Sequence, residues 1–139
     1  MTEPDWTPDG RLVMAKDINT VESKPGLYIT DRGLSNVTRI DPNLDNVRWP
    51  AVSPNGRRVA VVHHGHIWVM NLDGSGLRQL SFSDSGEERP AWSPDGQWIV
   101  AAQKEYGSVL LVPVKTGKII RLNNKDERGM QSQGRLTWR

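Results

Sequence analysis

An all-β fold of repeated blades, each of four short antiparallel strands, is what this sequence predicts, and two observations carry it. One phrase is written three times: Pro4-Asp5-Trp6-Thr7-Pro8-Asp9-Gly10-Arg11-Leu12-Val13-Met14, Pro50-Ala51-Val52-Ser53-Pro54-Asn55-Gly56-Arg57-Arg58-Val59-Ala60 and Pro90-Ala91-Trp92-Ser93-Pro94-Asp95-Gly96-Gln97-Trp98-Ile99-Val100. Its turn prolines, Pro8, Pro54 and Pro94, lie 46 and 40 residues apart, and Thr137-Trp138 restarts the phrase another 46 residues after Ala91-Trp92. The second observation is that each copy continues in one style, with glycine-bearing reversals between short runs of β-forming residues. A period of about 40–50 residues with four strands per unit is the signature of a β-propeller.

The repeated phrase explains itself physically. Proline presets φ at the second position of a turn, Asp or Asn tolerates the next position, and Gly takes positive φ freely. The residues ahead of the proline are pushed out of the helical region, and those behind it, such as Trp98-Ile99-Val100-Ala101-Ala102, favour strands.

Taken in order, repeat one predicts strands over Arg11–Lys16, Leu27–Thr30 and Asn36–Ile40, with a long connection from Asp17 to Gly26. Repeat two reverses again at Gly65, runs as a strand from His66 to Asn71, turns at Asp73-Gly74-Ser75-Gly76, and closes with Leu77–Leu80. Repeat three ends at Ile119–Leu122, and Gly134–Arg139 reads as the opening strand of a further blade. The blades fall at about 3–41, 47–81 and 88–122, within a single propeller segment over 1–139. From turn proline to second reversal glycine the repeats differ, at 18 residues (Pro8 to Gly26), 11 (Pro54 to Gly65) and 13 (Pro94 to Gly107). One connection varies while the strands hold, as insertion into a surface loop predicts. In an up-and-down blade those variable hairpins share a face with the blade-to-blade links, and the Pro-Asp-Gly turns share the other. A binding surface is therefore expected on the loop face.

Trp-Ser-Pro-Asp-Gly followed by an apolar strand, then Ile67-Trp68-Val69-Met70-Asn71-Leu72-Asp73-Gly74 and Arg78-Gln79-Leu80-Ser81, resembles the repeats of TolB-like propellers, the WD-repeat-like propellers of the Pro-Asp type. The likeness is strong over 50–81 and 90–122, weaker over 4–41, and only begins again at 134–139. It implies about three blades, half of a six-bladed propeller, and a non-enzymatic module that binds proteins or peptides or serves as a scaffold. Similar repeats form the gating propellers of prolyl-oligopeptidase-like and tricorn-like serine peptidases, which is the alternative it implies. Relatives of this kind are commonly periplasmic, although Met1–Trp6 lacks the basic and apolar run of a signal peptide.

Composition narrows the classes further. The 139 residues carry 18 basic and 16 acidic side chains, a net of +2 that argues against a general nucleic-acid or membrane surface. With no cysteine, disulfide, thiolate and cysteine-zinc chemistry are excluded. The last 25 residues hold seven basic and two acidic side chains, a net of +5 that reads as a charged rim on edge strands or a surface for an acidic partner.

Candidate chemistry is sparse, and no cofactor is expected. His63-His64-Gly65-His66 is the only histidine cluster. A His64-Gly65 turn sets His63 and His66 across a hairpin, but two imidazoles with no third ligand favour a polar tip over a metal site, with His64 pointing elsewhere. Asn71–Gly76 lacks the spaced oxygens of a calcium loop and reads as a turn. No nucleophile elbow, phosphate loop or catalytic triad is visible, and no catalytic residue is expected. Glu87 and Glu88 read as solvated loop carboxylates, and the inner strands offer only Asp5. Trp6, Trp92 and Trp138 share one repeat position and are expected to pack between blades. Trp49, outside that register where Val52 replaces the tryptophan, is the unusual one. The candidate partner-binding face is therefore His63, His64, His66, Trp49 and Tyr106. Beyond a protein or peptide partner, three blades imply self-association, as a dimer completing six blades, or the remainder of a longer propeller.

Overall fold

The computed structural model describes residues 3–16, 24–41, 43–105 and 107–122. Their strands form three four-stranded antiparallel sheets, each a simple up-and-down meander. The first contains β1 (Asp5–Trp6), β2 (Leu12–Lys16), β3 (Gly26–Thr30) and β4 (Val37–Asp41). The second contains β5 (Val47–Val52), β6 (Arg58–His63), β7 (His66–Asn71) and β8 (Arg78–Gln79). The third contains β9 (Glu87–Trp92), β10 (Trp98–Gln103), β11 (Val109–Pro113) and β12 (Ile120–Leu122). The expected further strand at Gly134–Arg139, with Trp138, lies outside the described residues, as does Tyr106. No helix among the described residues is long and apolar enough to cross a membrane.

Each reversal phrase builds the same turn. Gly10, Gly56 and Gly96 donate their N–H to the carbonyls of Thr7, Ser53 and Ser93 at 3.0, 2.8 and 2.9 Å. The Ser53 and Ser93 hydroxyls donate to Asn55 Oδ1 and Asp95 Oδ1 at 2.7 and 2.5 Å, and Thr7 does the same to Asp9. Blade one is one residue shorter here: Thr7 N–H reaches the Arg11 carbonyl, whereas Ser53 and Ser93 reach Arg58 and Trp98. Counting from the turn prolines alone therefore misaligns β2 with its counterparts by one position.

Alternation along the strands makes the middle blade a two-faced wall. Ala60, Val62, Ile67 and Val69 pack against Trp92, Ile99, Ala101, Leu110 and Val112 of blade three. Val59, Val61 and Met70 pack the other way, against Val13, Ala15 and Leu27 of blade one. This is why β6 reads Val-Ala-Val-Val without a polar gap. Polar staples differ at the two seams. Trp92 Nε1 donates to the Ala51 carbonyl at 2.7 Å, whereas Val52 N–H donates to Asp5 Oδ2 at 2.7 Å.

Trp92 is 8 % exposed, as inter-blade packing predicts, but Trp6 is 56 % exposed. The expectation of a core residue fails for Trp6. It pairs with Leu12, whose face is opposite to that of Val13, and so points away from blade two. Among the described residues nothing covers it.

Candidate functional site

The hairpin between β6 and β7 opens the loop face. His64 and Gly65 both take positive φ, +48° and +81°, which matches the two-residue turn whose twist suits a hairpin. His63 and His66 are cross-strand partners, as the sequence implies. Their side chains nevertheless part company. His66 Nδ1 lies 3.2 Å from Glu87 Oε2 on blade three. His63 Nδ1 lies 3.1 Å from the Asn46 carbonyl, and its ring meets Trp68 edge-on with centroids 5.4 Å apart. His64, expected to point elsewhere, instead lies with its ring centroid 4.1 Å from that of His63, and its Nε2 is 3.8 Å from Asp45 Oδ1.

Glu87 corrects the sequence reading of solvated loop charge. It is the first residue of β9, an inner strand, and only 1 % exposed. Its carboxylate accepts from the Ser81 hydroxyl at 2.7 Å and from the Ser83 hydroxyl, beside His66. Ser81 Oγ accepts in turn from Ile67 N–H at 2.8 Å. A carboxylate so wrapped is satisfied without solvent, and it ties blade three to the β8–β9 link and to the histidine hairpin. The inner strands thus carry Glu87 and Glu88 as well as Asp5. No sequence signal marks Glu87, because its partners come from two segments, the β8–β9 link and the distant β6–β7 hairpin.

Beside this network lies a cleft of about 240 Å³ lined by residues including Arg48, Trp49, His64, Glu88 and Lys104. Trp49 and Arg89 hold one repeat position, each ahead of a proline, and both adopt positive φ, +47° and +52°. The ladder slips at each of these points, between Arg48 and Ala51 and opposite Val100–Ala102. Such bulges re-aim side chains. They turn Trp49 and Arg89, with Glu3, toward a narrow crevice between the inner strands. Trp49 is therefore in register with the repeats as a bulge residue, and half-buried against the blade-two/blade-three core. His63, His64, His66 and Trp49 gather on this side.

A larger hollow of about 670 Å³ opens on the opposite face, between the Ser53–Asn55 and Pro94–Gly96 turns and the β11–β12 turn, with Trp92 and Trp98 in its wall. The tight-turn face is thus less closed than the sequence suggests.

Three meandering sheets, packed face to face with their first strands adjacent, define blades of a β-propeller. The chain carries three β-propeller repeats similar to those of TolB. The Tol-Pal system protein TolB of Anaeromyxobacter dehalogenans is 35 % identical over 97 residues, which is 66 % of this chain and 21 % of that protein. A putative TolB structure from Agrobacterium tumefaciens superposes with a TM-score of 0.72 at 20 % identity, over 86 % of this chain and 44 % of that one. The tricorn protease also matches, with a TM-score of 0.63 at 21 % identity, over 85 % of this chain and 12 % of that one. No protein-family model matches. The chain spans about a fifth of the TolB relative's length, the 21 % just given.

Proposed function

We propose that the three blades work as a non-enzymatic binding or scaffold module, and that a protein or peptide docks on the loop face at the cleft between blades two and three. The observation that carries this is the lining of that cleft: a half-buried Trp49 as an apolar anchor, ringed by Arg48, Lys104, Glu88 and His64. An aromatic anchor with both signs of charge around it suits a peptide chain. The TolB likeness favours binding over catalysis and suggests a periplasmic setting. It also favours covered outer faces, supplied by a second copy completing six blades or by the rest of a longer propeller.

The test is selection of displayed peptides on the purified chain. Enriched peptides should lose binding to Trp49→Ala and keep it to Trp98→Ala, which alters the turn-face hollow. The reverse dependence would move the site to the other face, and no enrichment would overturn the reading. The likeness to the tricorn protease favours a second reading, a propeller that gates a serine peptidase. A hydrolase domain with Gly-x-Ser-x-Gly on the same gene product would decide for it.

A further inference from the structure

We infer that His63, His64 and Asp45 form a surface site for a divalent cation of the zinc class. One donor atom from each residue lies within 4.8 Å of the others. Proximity alone is common on surfaces, and three further observations turn it into a site. The first concerns His63. A carbonyl oxygen only accepts, so the 3.1 Å contact with Asn46 O places a proton on Nδ1 and leaves the Nε2 lone pair available. Metal-binding imidazoles characteristically use their second nitrogen in this way.

The second concerns the gap between His64 and Asp45. At 3.8 Å, Nε2 and Oδ1 are too far apart for a hydrogen bond. An ion bonded to each at about 2.0–2.2 Å fits between them after a closure of a few tenths of an ångström. The third is the backbone. His64 sits at φ +48°, a position that asparagine or glycine fills at lower cost, yet this turn holds an imidazole there and sets it, tilted by 55°, beside His63.

Donor chemistry then selects the ion. Two imidazoles and one carboxylate suit zinc, copper or nickel, whereas magnesium and calcium prefer all-oxygen shells. Three protein donors leave a fourth tetrahedral position for water or for a group brought by another molecule. His66 takes no part, since it is not among the three residues whose donor atoms come together here. An ion held here clips the link after blade one, through Asp45, to the hairpin tip of blade two. This inference does not depend on peptide binding at the neighbouring cleft.

Calorimetric titration of zinc chloride into the chelator-treated chain at neutral pH tests it. One ion should bind per chain. His64→Asn keeps a residue at home in the left-handed turn, so it folds, and it should weaken binding by at least about tenfold. Asp45→Asn should do the same, while His66→Ala should leave the affinity within about twofold of wild type. No zinc binding, equal affinity in His64→Asn, or equally strong binding of magnesium would each overturn the assignment.

Discussion

Trp6 and Trp92 occupy one position in the repeat and meet opposite fates. Trp92 lies against blade two with its indole N–H on the Ala51 carbonyl, whereas Trp6 stands 56 % exposed on the outer face of blade one. Their sequence surroundings are nearly the same, so the difference comes from the neighbour: Trp92 has a preceding blade among the described residues and Trp6 does not. The outer face of blade three is the complement. Ile120 is exposed there, paired with Leu111 on the side facing away from blade two. What the repeat encodes is thus half of an interface, completed only when blades stack.

The sharpest way to break this comparison is to truncate both indoles. Trp92→Ala removes a buried ring and leaves the Ala51 carbonyl without its donor, so it should cost about 3–5 kcal/mol. Trp6→Ala should lie within about 0.5 kcal/mol when the chain is monomeric. Urea denaturation of both variants, with sedimentation equilibrium at the same concentrations, reads the contrast. Should Trp6→Ala cost as much as Trp92→Ala in a dissociable wild-type oligomer, a second copy covers blade one. Equal cost in a strict monomer would mean that the interface logic is wrong.

A second contrast sets Glu87 against Glu88, adjacent and identical in type. Glu87→Ala strips the Ser81 and Ser83 hydroxyls and His66 of their acceptor and should cost about 1–3 kcal/mol. Glu88 faces Lys104 at 3.9 Å on the rim, and Glu88→Ala should change stability by less than about 1 kcal/mol. Thermal melts of the two variants decide it, and a silent Glu87→Ala would mean that the network does not bind the blades together.

That pair also marks where the sequence stops being readable. The three sheets were legible because the turn phrase repeats and because β6 carries apolar residues at every position from Val59 to Val62. The shortened blade-one turn was not, since Thr7-Pro8-Asp9-Gly10 matches its counterparts until Arg11 closes one residue early. His63, His64, His66 and Trp49 were picked out by type, and the structure brings them to one side. Their roles depended on partners far away in sequence. Glu87 lies 21 residues beyond His66, and Asp45 belongs to the link before β5. Periodicity reports which face a strand side chain takes. It says nothing about which loop will be lying on that face.

The smallest effect, and the most specific, separates the three reversal turns by pH. Asp9 accepts from Thr7, from Arg11 at 3.1 Å and from Arg32 at 3.2 Å, and these donors lower its pKa to about 2. Asp95 accepts from Ser93 at 2.5 Å and from Gln97 N–H at 3.0 Å, which also lowers its pKa. Blade two has Asn55 at this position, making the same two contacts without a charge to titrate. For a carboxyl lowered in the folded state, the stabilisation is present above the unfolded value, 3.8, and is lost as the pH falls through the folded value. The melting temperature should therefore decline between roughly pH 4 and pH 2. Asp9→Asn should flatten that decline more than Asp95→Asn, because Asp9 alone faces two guanidinium groups. Asn55→Asp should steepen it, having introduced the missing titrating group into a turn already shaped for it. Circular-dichroism melts across that range give the three slopes, and identical slopes in Asp9→Asn and wild type would show that the turn carboxylates do not set acid stability.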